Sequence, residues 1–181
     1  MKTNTRMLAQ AAVMAALTAV GAFIRFPLGA LSFTLQDMFT VLAGVLLGWK
    51  WGAASQIAYV ALGLLGLPIF TQGGGLGYVL QPSFGFLLGI IPAAALTGLL
   101  AGERGELKRV LPACIAGLAV MYLIGVPYMG MILNLYMRKG LSVWTIVKTG
   151  LLIYLPGDAL KVAVVAAAAP ALCRSLRQAE A

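Results

Sequence analysis

Between Lys50 and Glu103 the chain reads WGAASQIAYVALGLLGLPIFTQGGGLGYVLQPSFGFLLGIIPAAALTGLLAG, residues 51–102, without one charged side chain. As a single helix these 52 residues would run about 78 Å at 1.5 Å each, whereas a bilayer core is about 30 Å thick. The stretch therefore has to turn back on itself. The turn is written as GLPIFTQGGGLG, Gly66 to Gly77, where Pro68 and the run Gly73-Gly74-Gly75 cannot sustain a helix. A crossing is expected on either side, over about 52–67 and 83–100.

The same ruler extends outward, because an ionised side chain at the bilayer centre costs at least about 2.5 to 3.5 kcal/mol. Arg6 and Arg25 bracket the uncharged run Met7 to Ile24, a first span (7–24). It is too long for a signal-peptide core and is followed by no polar mature domain, so it is read as retained. A short second span is expected over 34–49, ending on Trp49-Lys50-Trp51, a lysine between aromatic rings that suits the membrane interface. After the hydrophilic GERGELKR, Gly102 to Arg109, a fifth span runs over about 110–128 and a sixth over 156–172. Met129 to Leu155 reads as a long loop with a short amphipathic helix at the surface. The fold class expected is all-α: a single transmembrane domain over 1–181, a six-helix bundle with short loops and a ligand pocket at its outer face.

Composition agrees. Hydrophobic residues make up 61% of the 181, charged residues 10%, and mean hydropathy is +0.96, far from a soluble domain. The 13 Lys and Arg against 5 Asp and Glu fit cytoplasmic flanks meeting anionic lipid, not nucleic acid. With both termini in the cytoplasm, Lys2, Arg6, Lys50, Arg104, Lys108, Arg109, Arg174 and Arg177 lie inside, and Arg25, Arg138, Lys139 and Lys148 outside. The excess of basic residues inside favours that orientation.

The chain has no histidine, which excludes His-based triads, proton relays and metal sites; no metal site is expected. Cys114 and Cys173 fall in apolar runs and read as small buried hydrophobes. No phosphate loop is present, so any ATP-driven step has to draw on another subunit. No second acid or nucleophile is visible on a facing span, so an enzyme is not expected.

Four features carry functional expectations. Asp158 and Lys161, three positions apart in an apolar helix, point to nearly the same face. Intramembrane ionisable residues default to function, and a buried pair retained for stability alone is no better than a hydrophobic substitute. Either the two neutralise each other or they face a pocket, the lysine for a ligand carboxylate and the aspartate for ligand N–H groups. The glycine loop offers Thr71, Gln72 and close backbone approach at Gly73, Gly74 and Gly75, unless it is only a connection. Ala11, Ala12, Ala15, Ala16 and Ala19 put small residues on the first helix, a surface another helix can approach closely, although alanine is also the best helix former. In PLGALSFTLQD, Pro27 to Asp37, read as a loop and a helix start, Gln36 offers an amide to a ligand or caps the helix. Phe33, Tyr78, Tyr122 and Tyr128 are candidate walls of an apolar cavity.

Several segments together resemble one family: AALTAVGAF (15–23), FTLQDMFTVLAGVLLGWKWGAASQIAYVALGLLGLPIF (33–70), the glycine loop, YLIGVPY (122–128) and YLPGDALK (154–161). In this combination they are similar to the BioY family, the biotin-capturing S components of energy-coupling-factor (ECF) transporters. The resemblance implies biotin held near the outer face of the cytoplasmic membrane, with Asp158 and Lys161 contacting it and the loop Gln72 to Gly75 assisting. It implies as partners a transmembrane coupling subunit, docked on the alanine-rich first helix, and two ATPase subunits. No cofactor is implied, biotin being the cargo. A self-sufficient carrier for biotin or another small anionic vitamin is the alternative expectation.

Overall fold

The structure, a computed structural model, describes residues 2–28, 31–102 and 105–178. Arg104, counted above for orientation, lies outside the described residues, as do Gly29 and Ala30 of the PLGALSFTLQD stretch and the side chains of Lys2 and Arg177.

Helix α1, Lys2–Phe23, is rich in alanine and free of proline, which favours an uninterrupted helix. It leads into strands β1, Arg25–Leu28, and β2, Leu31–Thr34, paired antiparallel with Phe26 opposite Phe33 and Arg25 opposite Thr34. The chain is mostly helical, as the all-α expectation has it, but part of what read as a loop pairs here as a short hairpin. Four-residue strands leave too short an alternation to register beside 20-residue helical runs.

Helix α2, Gln36–Leu64, is broken at Gly48, whose φ of 72° and ψ of −179° belong to a region only glycine enters readily. Its two legs fold against each other. A β-carbon built on Gly52 would lie 2.9 Å from the α-carbon of Gly44, although eight residues of continuous helix rise about 12 Å. The expected second and third spans correspond to these two legs of α2, divided at Gly48.

The turn after α2 ends in a 3-10 helix, Leu76–Leu80, before α3, Phe84–Ala101. Helix α4, Leu107–Met131, runs on through a π-helical turn, Ile132–Tyr136. Short α5, Val143–Val147, a second π-helical turn, Lys148–Leu152, and α6, Leu155–Gln178, complete the chain. The expected loop over Met129 to Leu155 is therefore mostly helical. Polar side chains cap and tie it: Ser142 caps α5, and the Asn134 amide binds both Leu141 N and Leu141 O, at 2.7 and 2.8 Å.

Among the described residues, Thr5–Phe23, Phe84–Ala101, Leu107–Tyr136 and Val143–Leu176 are each long and apolar enough to cross a membrane. Helix α3 packs between α2 and α4, α1 lies on α2, and α6 lies on α2 and α4. Tyr59, Phe70, Ile90, Val110 and Val165 are central to the main core. Large apolar side chains such as Leu123, Leu160 and Leu99 are exposed, as a lipid-facing surface requires. Cys114 and Cys173 are both buried, as expected of small apolar side chains.

Candidate functional site

The site begins at the start of α6. Pro156 fits a first helical turn, Asp158 follows within that turn, where the helix dipole favours an acid, and Lys161 lies one turn further on the same face. Asp158 and Lys161 are 4% and 5% exposed. Lys161 Nζ donates to Asp158 Oδ1 at 2.8 Å and to both carboxylate oxygens of Asp37, at 2.8 and 2.9 Å. Asp37, in the first turn of α2, is 8% exposed. Tyr122 of α4 donates its hydroxyl to Asp158 Oδ2. The Phe33 ring of β2 lies against the ammonium, 3.9 Å from Nζ to its centroid, in reach of a cation–π contact.

Two carboxylates thus share one ammonium, which has three N–H donors and three carboxylate oxygens to meet. With all three side chains ionised, the cluster carries a net negative charge inside an apolar bundle. Such an arrangement is costly unless hydrogen bonds satisfy it, and here they come from α2, α4 and α6 at once. Its remaining acceptor capacity is suited to N–H groups from outside the chain.

The cluster lines a cavity of about 90 Å³, room for several waters. Gln36, Asp37, Tyr78, Tyr122, Asp158 and Lys161 belong to its polar lining, as do Thr71 and Ser83. Tyr78 OH lies 2.8 Å from Thr71 Oγ1 and 3.2 Å from Ser83 Oγ, a row of three hydroxyls. Phe86, Leu87 and Ile90 supply an apolar side. Tyr122 and Asp158 also border an apolar groove of about 720 Å³ between α4 and α6.

Of the residues singled out from sequence, Asp158, Lys161, Gln36, Tyr78 and Tyr122 line this cavity, and Phe33 stacks on the ammonium. Gln72, Gly73, Gly74 and Gly75 lie outside the lining. Their loop instead closes on itself, with Phe70 N donating to Gly73 O at 2.9 Å and Gly75 N to Gly63 O at 2.7 Å, while Gln72 is exposed. Phe70 is plugged into the core between Tyr59 and Tyr78. Tyr128 donates to Val79 O and is absent from the lining. On α1, Ala11 and Ala15 are buried, Ala12 and Ala16 exposed, and Ala19 half-buried, so the alanines divide between two faces.

Sequence reasoning missed Asp37. It served there only as a boundary marker, although the chain has just five acids and the FTLQD segment was already under scrutiny. Its rarity was the available signal. The 124 residues separating it from Lys161 hid the pairing.

The family model described as "BioY family" matches residues 1–178. The chain belongs to the BioY family. Among its relatives, "Probable biotin transporter BioY" of Lysinibacillus sphaericus is 47% identical over 137 residues, covering 75% of this chain and 70% of the relative. "Biotin transporter BioY" of Thermotoga maritima is 39% identical over 142 residues, covering 76% and 82%. Among solved structures, the S-component for biotin from an ECF-type ABC transporter superposes with a TM-score of 0.71 at 26% identity, over 98% of this BioY chain and 93% of that one. A BioY chain with these apolar helices is a multi-pass membrane protein.

Proposed function

We propose that this BioY protein captures biotin at the outer face of the cytoplasmic membrane and delivers it inward as the substrate-binding subunit of an ATP-driven ECF transporter. One observation carries the site: the buried Asp37–Lys161–Asp158 cluster, held by Tyr122, on the wall of a cavity otherwise lined by hydroxyls, an amide and apolar groups. Biotin presents a ureido group with two N–H donors and a carbonyl, an apolar sulfur ring, and a carboxylate on an aliphatic chain. The acidic pair suits the ureido N–H groups, and the hydroxyls of Thr71, Tyr78 and Ser83 suit the carbonyl. Lys161 already faces three carboxylate oxygens, so its part is to hold Asp37 and Asp158 in place, and the vitamin's carboxylate points away from the cluster toward the mouth.

Counting the two legs of α2 as separate crossings yields six in all, with both termini in the cytoplasm by the excess of basic residues there. The exposed pair Ala12 and Ala16, four residues apart, is the part of the alanine series free to meet a transmembrane coupling subunit, and two ATPases complete the module.

The test is binding of labelled biotin to the purified protein. Saturable binding is expected. Asp158→Asn, which weakens a charge-assisted hydrogen bond of about 1.5 to 3 kcal/mol, should lower affinity roughly 10- to 150-fold. Unchanged affinity in both Asp158→Asn and Asp37→Asn would show that the ligand sits elsewhere.

A further inference from the structure

Away from the cavity, four polar side chains with no exposed surface converge: Thr18 of α1, Thr40 on the first leg of α2, and Ser55 and Gln56 on the second. Gln56 Nε2 donates to Thr18 Oγ1 at 3.3 Å and to Ser55 Oγ at 3.0 Å, and its Oε1 accepts from Thr40 Oγ1 at 3.2 Å. The hydroxyls do not depend on it. Thr18 donates to Met14 O at 2.8 Å, Ser55 to Gly52 O at 2.7 Å, and Thr40 reaches Gln36 O at 3.1 Å, each on its own helix. An apolar side chain of the same length at position 56 would leave every one of them with an acceptor. A buried amide is an expensive choice in such a bundle, and it ties together segments that packing alone already brings into contact.

The ties lead to the cavity. Thr40 stands one turn along from Gln36 and bonds its carbonyl. Tyr59, three residues beyond Gln56, places its hydroxyl 3.4 Å from Gln36 Oε1 and 3.0 Å from Ile69 O. Gln36 and its neighbour Asp37 both line the cavity. We infer that Gln56 is a positioning residue for the ligand site: it fixes the first turn of α2, and with it Gln36 and Asp37, against α1. The inference rests on the biotin-site reading above and adds a residue that touches no ligand.

The experiment uses the full chain in lipid nanodiscs, with biotin as titrant. Gln56→Met should raise the biotin Kd about tenfold, a change of about 1.4 kcal/mol, while the melting temperature moves little. In a double-mutant cycle with Gln36→Met, the two losses should combine to less than their product, because both act on the same turn. Thr18→Val, which cuts only the tie to α1, should give a smaller loss in the same direction and stands in if Gln56→Met does not fold. Losses that multiply fully, or an unchanged Kd with a lowered melting temperature, would reduce Gln56 to a packing role and overturn the inference. If Gln36→Met and Lys161→Met both leave biotin binding intact, the site reading itself fails. Hydrogen exchange then decides the inference: Gln56→Met should speed exchange of amides 36–40 and leave 84–101 unchanged, and no difference at 36–40 overturns it.

Discussion

Lys161 holds two acids, and its removal differs in kind from removal of either partner. Lys161→Met leaves Asp37 and Asp158 facing each other without a cation in an apolar bundle, and breaking a buried pair in this way costs about 3 to 5 kcal/mol. Asp37→Asn leaves Lys161 paired one to one with Asp158 and should cost clearly less. Melting both variants in the same detergent checks the order, and a Lys161→Met protein as stable as Asp37→Asn contradicts it. Tyr122→Phe removes the hydroxyl bonded to Asp158 Oδ2 and keeps the ring, so biotin affinity should fall while the protein stays folded. A titration of that variant reads the loss directly. Asp158 and Lys161 were legible in the sequence because charge in an apolar helix is rare and a three-residue spacing fixes a shared face. Asp37 and Gln56 were not, because each is tied to a partner on a helix far along the chain, and no local pattern encodes a contact across 124 or 38 residues.

Among the elements, α2 depends on a single backbone choice. No atom lies within 4 Å of a β-carbon built on Gly48, so Gly48→Ala meets no steric clash and its penalty is purely conformational. At φ 72° and ψ −179° that penalty is of order 1 to 3 kcal/mol. A thermal melt showing no destabilisation would mean that the break tolerates another residue. Gly98 of α3 sits over this break, its built β-carbon 2.5 Å from Gly48 C and Trp49 N, which locks the neighbouring helix onto the bend. Charge spacing in the sequence located the long apolar runs, since the cost of ions in lipid acts on composition. It could not choose among the glycines of LLGWKWGA, because a positive φ is a property of the folded chain. The hairpin escaped for a related reason: β1 and β2 are defined by pairing with each other more than by their own residues.

For the whole molecule, the proposed docking of α1 makes its two faces respond differently to alanine changes. Ala15 is buried, so Ala15→Trp should overpack the core at a cost of about 1 to 3 kcal/mol and lower the melting temperature. Ala12→Trp and Ala16→Trp lie on the exposed face and should leave biotin binding and stability intact while weakening copurification with the coupling subunit. Equal copurification of the double variant would move the docking face elsewhere. The sequence by itself determined that this is a membrane protein of the BioY family and that Asp158 and Lys161 are set apart in it. The membrane character and the set-apart pair follow from transfer energies and local spacing, which each segment carries alone, while the family rests on the resemblance of its motifs. Only the tertiary structure decided that a second acid completes the cluster, that Gln72 to Gly75 lie outside the cavity lining while Thr71 of the same loop lies in it, and that the alanines divide between two faces. Each of these depends on which helix lies beside which, and that is settled by packing across the whole chain.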